Sequence, residues 1–237
     1  MQKRMLIFRG QDESPYSGFT DFMLQMGRKA ADICHPQKFH MTFTDSPPPL
    51  ASIIPFRKSK IGVLSLYFED GISVAGLQRI NEQCKSELKT EDGRIAGIYS
   101  VDEAIPVAYK KTWEDAELTP GICLLTLFRR KPGMSHAAFL DRWHNSHTPL
   151  SLRIHPLWHY SRNVVLETGT TGNEMWEGIV EEHFRRRTHL LNPFVFFGNP
   201  ITMIPNMVKV YRDTKAFIDY KTIETYVVRE VIIKSQD

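Results

Sequence analysis

The chain has 237 residues, 42% hydrophobic and 24% charged, which is the composition of a folded globular protein and not of a disordered one. Lys and Arg number 30 against 27 Asp and Glu, leaving a formal charge of only +3; this argues against the concentrated basic face of a nucleic-acid or acidic-membrane binder. Three widely separated cysteines, Cys34, Cys84 and Cys123, argue against a disulfide scaffold and for a reducing, cytoplasmic compartment. The segment from Met1 to Phe8 lacks the apolar run of a signal peptide, and no stretch of about 18 apolar residues marks a membrane span.

In chain order, Met5 to Phe8 reads as a strand. Ser14-Pro15 is a helix-start signal, and Phe19, Phe22, Met23, Met26, Ala30 and Ile33 then recur at helical spacing. His35-Pro36 ends that helix. Phe39, Met41 and Phe43 alternate with polar residues, the pattern of a half-buried strand. Ser46-Pro47-Pro48-Pro49 cannot supply a ladder of donors and reads as a loop. Ile61 to Phe68 predicts a third strand, Val74, Leu77, Ile80, Cys84 and Leu88 a second helical stripe, and Ile95 to Tyr109 further extended chain.

The same order follows again. Ile122 to Phe128 is an apolar strand; Ser135 can cap a helix carrying Phe139, Leu140 and Trp143, which must finish or kink at Pro149. His159 to Glu167 and Trp176 to Phe184 predict strands, Arg185 to about Asn206 a helix followed by a Pro-containing loop, and Ile223 to Ile233 a last strand rich in β-branched residues. The chain therefore divides into a repeat over 1–113, an acidic linker over 114–120 and a second repeat over 121–237. Each repeat spells β-α-β-β-α-β, the ferredoxin-like order of an α+β fold.

The segment from Phe128 to Leu150 contains Arg130, Pro132-Gly133, Trp143 and His147-Thr148-Pro149-Leu150. With Tyr160 and Asn163, the run from Trp176 to Phe184, Val210 to Asp213 and Phe217 to Asp219, it resembles the EthD family, named for ethyl tert-butyl ether degradation. The resemblance covers about Gly121 to Lys234. It implies a dimeric-type α/β barrel of two ferredoxin-like units packed sheet to sheet. The first repeat lacks the Trp and His signature and looks like a degenerate copy, so one chain is expected to form the whole barrel with one pocket, in the second repeat. Relatives in the family include proteins of uncertain activity in degradation operons and cofactor-free dehydratases or cyclases of aromatic polyketides. The wider superfamily includes cofactor-independent monooxygenases, isomerases and haem proteins, so fold alone does not assign an activity.

Phe139, Trp143 and His147 lie at i, i+4 and i+8, one face of one helix. His147 is thereby carried toward the core, where an imidazole can act as a base at neutral pH or simply hold a helix end. Tyr160 can donate to an enolate or phenolate oxygen and Asn163 can orient a carbonyl. Three residues apart on a strand, both cannot face one pocket without a bulge. Trp143 and Trp176, with Phe139, are core residues that can also line an aromatic-binding cavity. His136, His144, His147, His155 and His159 crowd one segment, but no spacing links them to a third metal ligand, and no metal or other cofactor is expected. No Walker loop, Rossmann fingerprint, Gly-x-Ser-x-Gly elbow or His-Glu-x-x-His occurs.

Three functions follow from these expectations. The first is a cofactor-independent lyase or isomerase of a small apolar carbonyl or aromatic compound, with His147 and Tyr160 catalytic and Phe139, Trp143, Asn163 and Trp176 binding substrate. The second is a hydrophobic-metabolite binder or accessory protein, and the third an oxygen-using or haem enzyme. A small hydrophobic ligand is the expected partner, with a homodimer possible and neither nucleic acid nor membrane involved.

Overall fold

The computed structural model describes residues 1–69, 82, 93–168 and 174–235. Eight strands close into one antiparallel barrel in the order β1-β3-β2-β8-β5-β7-β6-β4. They are β1 (Gln2–Gly10), β2 (Lys38–Phe43), β3 (Ile61–Phe68), β4 (Gly93–Val107), β5 (Ile122–Phe128), β6 (His159–Thr168), β7 (Gly178–Phe184) and β8 (Glu224–Lys234). Each half contributes the ferredoxin-like order, β4-β1-β3-β2 and β8-β5-β7-β6. The halves join through β2 with β8 and β4 with β6, so no sheet edge is left open. The fold is thus the α+β barrel that the repeat predicts. The predicted stripe from Val74 to Leu88 lies outside the described residues, Glu82 excepted.

Period-two alternation sorts the strand residues between two environments. On β1, Leu6 and Phe8 face outward under helix α1 (Tyr16–Cys34), whereas Met5 and Ile7 face the barrel interior. Helix α1 buries Phe19, Phe22, Met23, Met26 and Ala30, the residues at helical spacing, and His35 ends it in the left-handed conformation, φ 46°, its N–H returning to the Ala31 carbonyl. The strand β2 departs from expectation. It is buried on both faces, because its polar residues His40 and Thr42 point into the barrel and not to solvent.

One end of the interior is charged. Lys3 donates to Glu103 (2.7 Å) and Glu181 (3.2 Å), and Glu103 also accepts from Tyr67 (2.9 Å) and Ser161 (2.7 Å). Burial alone would raise the Glu103 pKa, but Lys3 and these hydroxyls hold it down to about 2. The other end carries Arg9, bound to Glu174, Glu224 and Tyr226.

Outside the second half lie α2 (His136–Asp141), a π-helical turn (Arg142–His147), α3 (Thr148–Ile154), the short α4 (Arg187–Leu191) and α5 (Pro193–Phe196), and α6 (Met203–Phe217). Ser135 caps α2 as predicted, accepting from the Ala138 N–H. At Pro149 the helical run does not stop. The preceding turn widens, Thr148 N–H bonding Trp143 O five residues back, and the chain continues to Ile154. A proline that lacks its donor is accommodated by loosening the ladder before it. The main helix after β7 also differs from expectation: it spans Met203–Phe217, while 185–206 contains only the two short helices before its start. Among the described residues no helix is long and apolar enough to cross a membrane.

Candidate active site

A cavity of about 860 Å³ lies between the outer face of the second-half sheet and its helices. Its floor is set by outward residues of the strands, among them Leu124, Thr126, Tyr160, Val180 and Glu182. Its roof comes from the π turn with α3, which supplies Trp143, His147, Ser151 and His155, and from α6 with Thr214 and Phe217. The first half closes one side: the 53–57 segment lies along β8, fixed by Arg57 N–H to Thr225 O (2.8 Å) and Thr225 Oγ1 to Pro55 O (3.0 Å).

Several predicted residues meet here, and several do not. His147, Tyr160 and Trp143 line the cavity. Phe139 packs behind Trp143, with ring centroids 5.5 Å apart, and belongs to its hydrophobic support. Contrary to expectation, Asn163 and Trp176 do not line this cavity. Asn163 is fully buried inside the barrel, donating to Ile179 O (3.0 Å), because it lies three residues from the outward Tyr160 on a period-two strand. Trp176 packs inside the barrel with Ile179 and Tyr99, its indole N–H donating to Glu174 (3.2 Å).

The crowded histidines disperse. His136 is exposed, and His159 packs against Tyr109, ring centroids 4.4 Å apart and tilted by 37°. His155 reaches the cavity wall stacked on Phe196, its Nδ1–H on the Phe196 carbonyl (2.9 Å), and burial lowers its pKa to about 4. Among the described residues no group of three or more His, Cys, Asp or Glu side chains is arranged to hold a metal ion.

His147 is held at both ring nitrogens. Nδ1 is 2.9 Å from Asp213 Oδ2, and Nε2 is 3.2 Å from Ser151 Oγ. Asp213 sits on α6 and also accepts from Ser146 (2.8 Å), with Arg142 at 3.7 Å. Burial would raise the Asp213 pKa, but the hydrogen bonds from His147 and Ser146 and the nearby charges outweigh it and hold the group ionised. An ionised Asp213 accepts from Nδ1–H, which leaves the Nε2 lone pair toward Ser151 and the cavity.

Two features were not assigned a catalytic part in the sequence. One is Asp213, which lay inside a segment noted only for resemblance. The other is Glu182, paired across the sheet with Tyr160. Its carboxyl faces the cavity with no hydrogen bond or ion pair among the described residues, and burial pushes its pKa up to about 7. Burial, with Glu182 adding to it, pushes the Tyr160 phenol up to about 12, so its hydroxyl keeps its proton at neutral pH. The site therefore pairs an oriented imidazole base with a neutral phenol and a carboxyl that is part protonated near neutral pH, on a mainly apolar floor.

An eight-stranded α/β barrel with an outward pocket built on its second half places the chain in the dimeric-type α/β barrel class, here closed by a single chain. Within it, residues 131–203 match the model of the EthD domain, so the resemblance is shown for the segment that carries Trp143, His147, Tyr160 and Glu182; Asp213 lies beyond it. The whole chain is similar in fold to an anthrone oxidase-like protein, with a TM-score of 0.63 and 9% identity over 100% of this chain and 95% of that one. It is also similar to two provisionally assigned monooxygenases. The one from Lactobacillus acidophilus NCFM has a TM-score of 0.50 and 8% identity, over 99% of this chain and 98% of that one. The one from Fusobacterium nucleatum subsp. nucleatum ATCC 25586 has a TM-score of 0.50 and 10% identity, over 98% and 92%. Comparison with curated protein sequences gives no significant match.

Proposed function

We propose that the cavity is the site of a cofactor-independent lyase or isomerase acting on a small apolar carbonyl or aromatic, polyketide-like compound. The observation that carries this reading is the Asp213–His147 pair on the wall of an apolar cavity. His147 Nε2 takes a proton from the carbon beside the substrate carbonyl. The Tyr160 hydroxyl donates to the enolate oxygen that forms, and the protonated form of Glu182 delivers a proton to the new carbon position in isomerisation or to a departing hydroxyl in dehydration. Trp143 and Phe217 supply aromatic wall for a flat substrate.

The test is exchange of α-protons of fused-ring aryl ketones in deuterated buffer, followed by NMR. The His147→Gln protein is expected to fold and to lose exchange by about 10²-fold or more; exchange at the wild-type rate in that variant would overturn the assignment. Tight ligand binding with neither exchange nor conversion would instead favour a metabolite-binding protein.

A second reading takes its support from the names of the structural relatives, anthrone oxidase-like and provisionally monooxygenase. The carbanion made by His147 would react with dioxygen instead of a proton. Oxygen consumption coupled to substrate loss separates this from isomerisation. Because one chain already uses both sheets to close the barrel, any homodimer would form through outer helices or loops.

A further inference from the structure

We propose that Ser151 is a nucleophile and that the same cavity hydrolyses small apolar esters through an acyl-Ser151 intermediate. This activity goes beyond the proton-transfer reading, although it uses the same His147. The residues stand in the order that acyl transfer needs: Asp213 Oδ2 is 2.9 Å from His147 Nδ1, and His147 Nε2 is 3.2 Å from Ser151 Oγ. Asp213 fixes the tautomer with Nδ1 protonated, so Nε2 is the atom that accepts the Ser151 proton.

The Ser151 hydroxyl is not occupied as helical serines usually are. Such a serine commonly turns its hydroxyl back to the carbonyl four residues earlier. Residue 147 is that position, and Ser151 Oγ meets its imidazole ring instead. Ser151 is 1% exposed yet lines the cavity, so its oxygen faces a ligand space and not bulk water. Tyr160, whose hydroxyl lies against Thr148 on the same helix and Trp143, is the cavity donor available to an oxyanion. No Gly-x-Ser-x-Gly elbow is involved. The constellation comes from the end of the π turn, the first turn of α3 and the facing α6, and geometry defines a triad, not a sequence motif.

In the first step Ser151 Oγ attacks the ester carbonyl carbon while its proton passes to His147 Nε2. The tetrahedral oxyanion collapses, the bond to the alcohol oxygen breaks, and the imidazolium returns the proton to that oxygen. Water, deprotonated by His147, then cleaves the acyl-Ser151 ester, releasing the carboxylic acid and restoring the hydroxyl.

The experiment uses the full chain with p-nitrophenyl acetate and p-nitrophenyl butyrate. A burst of nitrophenolate is expected, with one acyl group added to the intact mass and mapped to Ser151. Ser151→Ala should slow acylation by about 10³-fold or more. Ser151→Cys should carry the acyl group as a thioester, which keeps the test decisive if the alanine protein folds poorly. No adduct on the wild-type chain, or an adduct that persists elsewhere in both variants, overturns the proposal. Ketone proton exchange is read on the same wild-type preparation. Exchange without acylation overturns the serine nucleophile alone, and acylation without exchange supports it while overturning the proton-transfer reading.

Discussion

Asp213 Oδ2 and His147 Nδ1 are 2.9 Å apart across 66 residues of sequence, one on α6 and the other in the π turn. The pair sets the imidazole's tautomer and leaves the unprotonated Nε2 facing Ser151 on the cavity wall. Asp213→Asn keeps the size of the side chain but lets its amide donate, which favours the wrong tautomer. The expected outcome is a loss of about 10²-fold or more in α-proton exchange with the apolar ligand still bound, measured by NMR for exchange and by equilibrium dialysis for binding.

Glu182 makes stability depend on pH. Its carboxyl pKa is raised from 4.5 to about 7 by burial, so the folded state holds a proton that the unfolded chain releases. The sign follows: this contribution is fully present below pH 4.5 and is lost as pH rises through about 7. Wild-type protein should lose up to about 3 kcal/mol across that window relative to Glu182→Gln. Urea unfolding of both proteins at pH 5 and pH 8 checks it. If Glu182 is also the proton donor in the reaction, wild-type turnover should fall above about pH 7.

Lys3 is 2% exposed between Glu103 and Glu181. Lys3→Met leaves two carboxylates without their cation inside the barrel and should cost about 3–5 kcal/mol. Glu103, now held down to about 2, should titrate higher in that variant. Chemical denaturation checks the first outcome. Adding Glu181→Gln to Lys3→Met should recover part of the loss, because one uncompensated charge is removed.

Gly178 connects the barrel to the cavity. A Cβ there would stand 2.4 Å from Phe128 Cζ and 2.9 Å from Trp143 Cη2. Gly178→Val should therefore push Trp143 toward the ligand space, destabilise by about 1–3 kcal/mol and weaken binding of fused-ring ligands more than of single rings. Thermal melts and ligand titration measure the two effects separately.

Much of the scaffold is legible before folding. The stripe from Phe19 to Ala30, the strands around Leu64 and Leu125, and the Ser135 cap follow from local periodicity and capping, which neighbours in sequence decide. The doubled strand order predicts the barrel, and Trp143 and His147 reach one cavity as their spacing suggests. The helix Met203–Phe217 was readable from Met207, Val210, Thr214 and Phe217 at helical intervals, although a Pro in its first turn disguised its start.

What sequence by itself determined is the set of amphipathic elements and their order, because each element's apolar face is written in residues a few positions apart. Tertiary structure alone decided which face of each strand meets the ligand space. Glu181 and Glu182 are adjacent, yet barrel closure sends the first into the Lys3 cluster and the second into the cavity. It likewise separated Asn163 from Tyr160, brought Asp213 to His147 and laid the 53–57 segment over the second half. These are contacts between distant segments, and they exist only once eight strands share a single closed hydrogen-bonded register.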